Sequence, residues 1–306
     1  MCAAVFDLSG KTALITGGSY GLGVVFAHAL ADAGADIALT ARTTDLLEKN
    51  AADIGAKGRK ATAHTGDVTV GTDVQRVVDE ALAAHGKIDV LVNNAGVSDT
   101  RGIASENVDA DTFRETIEVD LFGVWNYAQA VGRHMLERRS GSIINISSML
   151  GVGGSEYVNP AYHAAKAAVI NLTRLLATEW GDRGVRVNAL SPGYFVSEMT
   201  RVIFEDLGLT PWVEGRTPLR RLGEDKDLVG PIVFLASDEA AYVTGANLLV
   251  DGGYSSVMGS SQFQVPWHLW NVPSAIGETY PGMAPLPDSI NQQGLPGVHF
   301  PIPDRT

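Results

Sequence analysis

The chain has 306 residues, 45% of them hydrophobic, enough to bury a full core in one large α/β domain, which is the expectation here, or in two small ones. A formal net charge of −12 works against nucleic acid and anionic membrane, which both reward Lys and Arg, and an acidic carrier protein would be repelled unless a local basic patch intervened. The single cysteine, Cys2, excludes an internal disulfide; with no secretory leader pattern and no apolar run of about 18 residues, a soluble cytoplasmic protein is expected.

Lys11 to Thr16 is a short β-type run that ends in Gly17, Gly18, Gly21 and Gly23 before helical periodicity takes over at Val24. Strand, glycine turn and helix are the parts of a dinucleotide site. Gly17 permits the tight turn, Gly21 lets backbone approach a pyrophosphate, and Gly23 lets helix and strand pack closely. Ser19, Tyr20 and Leu22 lie between these glycines and share the turn. The next strand, Asp36 to Ala41, ends where such folds place the residue that meets the adenosine ribose, and here Ala41 is followed by Arg42. An acidic residue there would exclude a 2′-phosphate, whereas an Arg pairs with one through two parallel donors, so NADP is expected over NAD.

Ala61 to Thr65 reads as a third strand, and His64 within it as a satisfied core residue, with no second ligand at metal spacing. A helix over 71–85 leads to a buried strand at Asp89–Asn93, followed by Asn94, Ala95 and Gly96. Long helical patterns fill residues 112–138, and Gly141 to Ser148 is a further buried strand that delivers two hydroxyls to the sheet edge carrying the glycine turn. A helix over 161–182 contains Tyr162 and Lys166, four apart and therefore on one face. An ammonium held there favours the ionised phenol and moves it toward the working range of an acid or base. Gly184 to Ser191 is another strand, which Pro192-Gly193 breaks; residues 194–224 are irregular; a helix over 228–236 and a closing strand over 247–251 follow.

Thr16-Gly-Gly-Ser-Tyr-Gly-Leu-Gly23, Asn93-Asn-Ala-Gly96, Ile146-Ser-Ser148, Tyr162-His-Ala-Ala-Lys166, Pro192-Gly193 and Val250-Asp-Gly-Gly253 stand in that order and spacing. Together they resemble the short-chain dehydrogenase/reductase family over residues 8 to 254. The resemblance implies a Rossmann-like, doubly wound parallel sheet in a single domain, with hydride transfer between a nicotinamide cofactor, NADP or NAD, and an alcohol or ketone. It implies Ser148 as the donor that orients the substrate oxygen, Tyr162 as general acid/base and Lys166 as the cation that holds the nicotinamide ribose. Asp67 and Val68 match the adenine-contacting turn, Asn93 the residue that steadies the central sheet, and Asn94, Ala95 and Gly96 the stretch where backbone reaches the cofactor. Pro192 and Gly193 fall beside the nicotinamide, and Ser197 takes the place of a family Thr. The family usually has Asn where this chain has Asp120; an ionised Asp120 would pair with Lys166 and weaken its pull on Tyr162. Residues 194–224 correspond to the substrate lid.

From Ser255 the composition changes: 52 residues hold 8 of the 13 prolines and four charged side chains, together with Phe263, Trp267, Trp270, Tyr280 and Phe300. So many prolines disfavour helix and sheet interior, and the aromatics favour an extended C-terminal arm laid over folded protein, crossing to a partner in a homodimer or homotetramer or folding back on its own subunit. Two other functions stay open: a 3-oxoacyl-carrier-protein reductase, and a regulatory protein that binds the cofactor without turnover.

Overall fold

The computed structural model describes residues 5–97, 104–155, 159–196, 200, 204 and 208–256. The strands run β1 (Thr12–Thr16), β2 (Asp36–Ala41), β3 (Ala61–Thr65), β4 (Val90–Asn93), β5 (Gly141–Ile146), β6 (Val185–Pro192) and β7 (Asn247–Val250). All pair in parallel, in the order β3-β2-β1-β4-β5-β6-β7. The helices are α1 (Leu22–Asp32), α2 (Thr44–Gly55), α3 (Gly71–His85), α4 (Ala110–Ile117), α5 (Gly123–Arg138), α6 (Pro160–Trp180), α7 (Thr210–Arg216) and α8 (Asp225–Ala236). This is the doubly wound fold that the sequence implies.

Both faces of the sheet are covered, because parallel strands need crossover helices and these must lie above or below. The strands still sort their side chains by alternation. Ala13, Ile15, Val90 and Val92 pack with Phe26 and Leu30 of α1, Leu47 of α2 and Ile232 of α8. Leu14, Leu91 and Ile143 turn the other way, onto Val77 of α3, Val131 of α5 and Trp180 of α6. A polar chain crosses the second layer: Asn93 Nδ2 donates to Asn145 Oδ1 at 2.9 Å, Asn145 Nδ2 to Thr173 Oγ1 at 2.9 Å, and Thr173 Oγ1 to the Val169 carbonyl at 2.8 Å. It ties β4 and β5 to α6, the helix with the Tyr-Lys pair. Asn93 thus steadies the central sheet as expected.

The strand order reverses between β1 and β4, which opens a crevice at the carboxyl ends. Thr16, Ala41, Asn93, Ile146 and Pro192 all end strands at that edge.

Several boundaries differ from those read from sequence. β5 stops at Ile146, so Ser147 and Ser148 lie past the strand, and Ser148 opens a turn of 3₁₀ helix. Pro192 does not break β6 but closes it, paired with Val250, because a proline at a strand end sacrifices only one donor. α6 begins at Pro160, capped by the Asn159 side chain accepting from the Ala161 N–H, and ends at Trp180. Within the expected irregular stretch, Thr210–Arg216 is helical, and α8 starts at Asp225, where Glu224 and Asp227 form a reciprocal cap. No helix among the described residues is long and apolar enough to cross a membrane. The arm beyond Ser256 lies outside the described residues, as does Ser197.

Candidate active site

The crevice gathers most of the residues singled out from sequence. Gly17, Ser19, Tyr20, Gly21, Leu22, Arg42, Asp67, Val68, Asn94, Ala95, Gly96, Ser148, Tyr162, Lys166, Pro192 and Gly193 all line one cleft. Gly23 stands behind it: a Cβ there would fall 2.1 Å from the Gly17 carbonyl oxygen, so only glycine lets α1 rise so close to the turn. At Gly21, with φ 63°, a Cβ would meet no atom within 4 Å, and Gly21 and Leu22 at the start of α1 both line the cleft. No side chain caps that helix start. Uncapped N–H groups at a helix N-terminus are what a pyrophosphate requires.

At the far end of the cleft Arg42 is exposed and no described residue pairs with it. Its neighbour Ala41 carries no charge, so a phosphate meets an unopposed guanidinium there. Asp67 accepts from the Thr69 N–H at 2.9 Å and the Thr69 hydroxyl at 2.7 Å, both on Oδ1. The residues therefore fit a dinucleotide with a 2′-phosphate, from Arg42 and Asp67 at one end to Lys166 and Gly193 at the other.

The opposite end holds the chemistry. Lys166 Nζ sits 5.3 Å from the centre of the Tyr162 ring and donates to the Ile146 carbonyl at 3.2 Å. Its other neighbour is Asp120 Oδ2, at 3.4 Å, and both side chains are buried. Asp120 Oδ1 accepts from the Val97 N–H at 2.7 Å, while Oδ2 has no hydrogen-bond partner of normal geometry. Asp120 reaches this place because one π-helical turn, Glu118–Phe122, joins α4 to α5 and rotates it inward. Gly96 faces the pair: a Cβ there would stand 3.2 Å from Asp120 Oδ1 and 3.4 Å from Lys166 Nζ.

Burial pushes the Tyr162 phenol above its ordinary value; Lys166 pulls it down, Asp120 pushes it up again, and Ser148 pulls it down. The spacing alone predicts a lowered phenol, but residue spacing carries no information on desolvation, and desolvation is the larger effect. Burial likewise lifts Asp120 above the usual carboxylate range, against Lys166 and the Val97 N–H. Burial disfavours the charge on Lys166, yet Asp120 and Tyr162 more than offset it and hold the ammonium in its charged form. A protonated phenol beside a fixed cation is a proton donor for an oxygen placed between Ser148 and Tyr162.

Ser147 faces the cleft too, but its hydroxyl donates to the Lys166 carbonyl at 2.8 Å and is occupied in holding α6. Two groups have positioning roles that were not read from the sequence. Thr16 Oγ1 accepts from the Asn94 and Ala95 N–H groups, each at 3.0 Å, and so fixes the stretch after β4 against the glycine turn. Asn50 of α2 donates to the Gly18 and Ser19 carbonyls, each at 2.9 Å. His64 is satisfied by Glu80 and Thr62, and among the described residues no cluster suited to a metal occurs.

A family model described as enoyl-(acyl carrier protein) reductase matches residues 17–255. Gluconate 5-dehydrogenase of Gluconobacter oxydans is 39% identical over 255 residues, covering 81% of this chain and 96% of that protein. The chain belongs to the short-chain dehydrogenase/reductase family. The 3-oxoacyl-(acyl-carrier-protein) reductase of Staphylococcus epidermidis is 39% identical over 247 residues, covering 79% of this chain and 98% of that protein. Among solved structures, the gluconate 5-dehydrogenase of Burkholderia cenocepacia in complex with NADP and tartrate superposes with a TM-score of 0.79 at 37% identity, covering 83% of this chain and 98% of that one. Family membership makes this chain an NAD(P)-dependent oxidoreductase acting on CH–OH and keto groups.

Proposed function

We propose that this enzyme interconverts a ketone and a secondary alcohol with NADP(H), that Tyr162 is its general acid/base, and that small hydroxylated substrates such as keto-sugar acids are its first candidates. The observation that carries the reading is the convergence of Ser148, Tyr162 and Lys166 on the cleft that Arg42 also lines. Sugar-acid relatives support the substrate class.

NADPH, when bound, supplies the hydride; Gly17, Ser19, Gly21 and Leu22 would hold its pyrophosphate, Arg42 its 2′-phosphate, Asp67 and Val68 its adenine, and Asn94 to Gly96, Pro192 and Gly193 its nicotinamide half. Ser148 donates a hydrogen bond to the ketone oxygen. Tyr162 delivers its proton to that oxygen as negative charge develops, and Lys166 stabilises the phenolate that remains. In the reverse direction the same phenolate accepts the alcohol proton. Phe195 and Thr200 line the substrate end, where an apolar ring and a hydroxyl stand together.

A second reading, reduction of a 3-oxoacyl thioester, is favoured by the Staphylococcus relative and opposed by the net charge of −12. Assembly as a homodimer or homotetramer, with the arm from Ser255 to Thr306 contributing, belongs to the proposal as well. Light scattering of the full chain and of a version ending at Tyr254 tests it, and unchanged mass and kinetics would refute the arm's part. Turnover itself is tested by following NADPH absorbance with keto-sugar acids, simple ketones and a 3-oxoacyl thioester. Fastest reduction of a sugar acid supports the proposal, fastest reduction of the thioester supports the second reading, and no oxidation with any carbonyl would sink both.

A further inference from the structure

The glycine turn has to present its N–H groups to an anion, yet nothing within residues 17–21 holds them in that direction. Glycine-rich backbone is the least constrained of all, so such a turn takes a single orientation only where other groups hold it. Here the turn is held from behind. Asn50 lies in the middle of α2, buried, a position where a short amide side chain costs helix propensity and where burial of an amide requires partners. Its Nδ2 donates both its hydrogens, one to the Gly18 carbonyl and one to the Ser19 carbonyl, at 2.9 Å each. The Gly18 N–H in turn donates to the Thr40 carbonyl at 3.1 Å.

In a planar trans peptide the carbonyl and the following N–H point in opposite directions. Two successive carbonyls drawn toward Asn50 therefore send the Ser19 and Tyr20 N–H groups the other way, into the cleft that Ser19, Tyr20 and Gly21 line. Successive N–H groups converging on one side form an anion-binding concavity. We infer that Asn50 is a positioning residue for cofactor binding: it orients the glycine turn so that the Ser19 and Tyr20 amides face the pyrophosphate. This rests on the reading of the cleft as a dinucleotide site. Asn50 does not line the cleft, so it acts only through the turn.

The test is Asn50→Leu, which keeps the branched side-chain skeleton, though bulkier, and removes both donors, with Asn50→Ala beside it as the smaller truncation. NADPH and NADH are titrated by fluorescence against each full-length protein, thermal midpoints are measured without and with cofactor, and kcat is measured at saturating NADPH. Losing these two hydrogen bonds should raise both dissociation constants by about tenfold and by the same factor, since both cofactors share the pyrophosphate, while kcat stays within about twofold. The cofactor-induced rise in thermal midpoint should shrink. Unchanged affinity in either folded variant overturns the inference. So does a loss confined to NADPH, which would locate the effect at Arg42, or a fall in kcat at saturation. An unmodified protein that binds neither nucleotide removes the dinucleotide reading itself, and the role of Asn50 with it.

Discussion

Lys166 Nζ lies 3.4 Å from Asp120 Oδ2 inside the protein, so the cation beside the Tyr162 phenol has a carboxyl group as its neighbour. The consequence can be followed through the phenol. Asp120 is one of the groups that raise Tyr162, and it does so both directly and by compensating the charge of Lys166.

Asp120→Asn should therefore lower the Tyr162 pKa. In the alcohol-oxidising direction the phenolate is the active form, so activity rises with pH through that pKa, and the variant's rising limb should move to lower pH. The measurement is kcat/KM against pH at saturating NADP. An unmoved limb would show that Asp120 is protonated or uncoupled from the pair.

Tyr162→Phe removes the hydroxyl proposed as proton donor while keeping the ring. Turnover should fall by at least about 10²-fold, because the general acid acts in the transition state, and NADPH affinity should change little. A variant that retains most of its activity would return the proton transfer to another group.

If Arg42 holds the 2′-phosphate as proposed, it sets the cofactor choice. Ala41→Asp places a carboxylate where the 2′-phosphate would approach and should reverse a preference for NADP into one for NAD, read as the ratio of the two kcat/KM values. Equal or better efficiency with NAD in the unmodified enzyme would contradict the assignment.

One prediction concerns stability. Asp227 accepts from Arg221 at 2.5 and 2.9 Å and from the Glu224 N–H at 2.9 Å, which pulls its pKa from the ordinary 3.8 to about 2. A lowered folded-state value means that the carboxylate stabilises the fold fully above the unfolded value and that this contribution disappears as pH falls toward 2. Asp227→Asn should thus lower the urea midpoint at pH 6, and the gap from the unmodified protein should close between about pH 4 and pH 2. A gap independent of pH would assign the effect to the helix cap instead. Both side chains are partly exposed, so the effect should also weaken in salt.

Local patterns were legible and distant partners were not. The glycine turn and the Tyr162–Lys166 pair are each contained in a few residues, and their chemistry follows from spacing. Asn50 and Thr16 reach partners 31 and 32, or 78 and 79, positions away; Asn50 has no distinctive neighbours, and Thr16 stands at the head of the glycine motif without any local sign of its bonds to the stretch after β4. Asp120 is visible as a departure from the family, but the π turn that carries it packs against α6, a partner distant in sequence. The direction of the Tyr162 shift was missed for the same reason: burial is a property of the folded molecule. The strand ends at Ile146 and Pro192 moved by one or two residues because pairing decides where a strand stops.

The reversal of strand order at β1 also dictates what a half-made molecule looks like. β1 has β2 available as a partner once residue 41 has been made, whereas the partner for its other edge is β4, with Ala13 opposite Val90. At about 5–20 residues per second the growing chain carries this bare apolar edge for a few seconds. The half that carries Arg42 is thus synthesised before the half that carries Ser148, Tyr162 and Lys166, and the cleft between them can form only once both have been made.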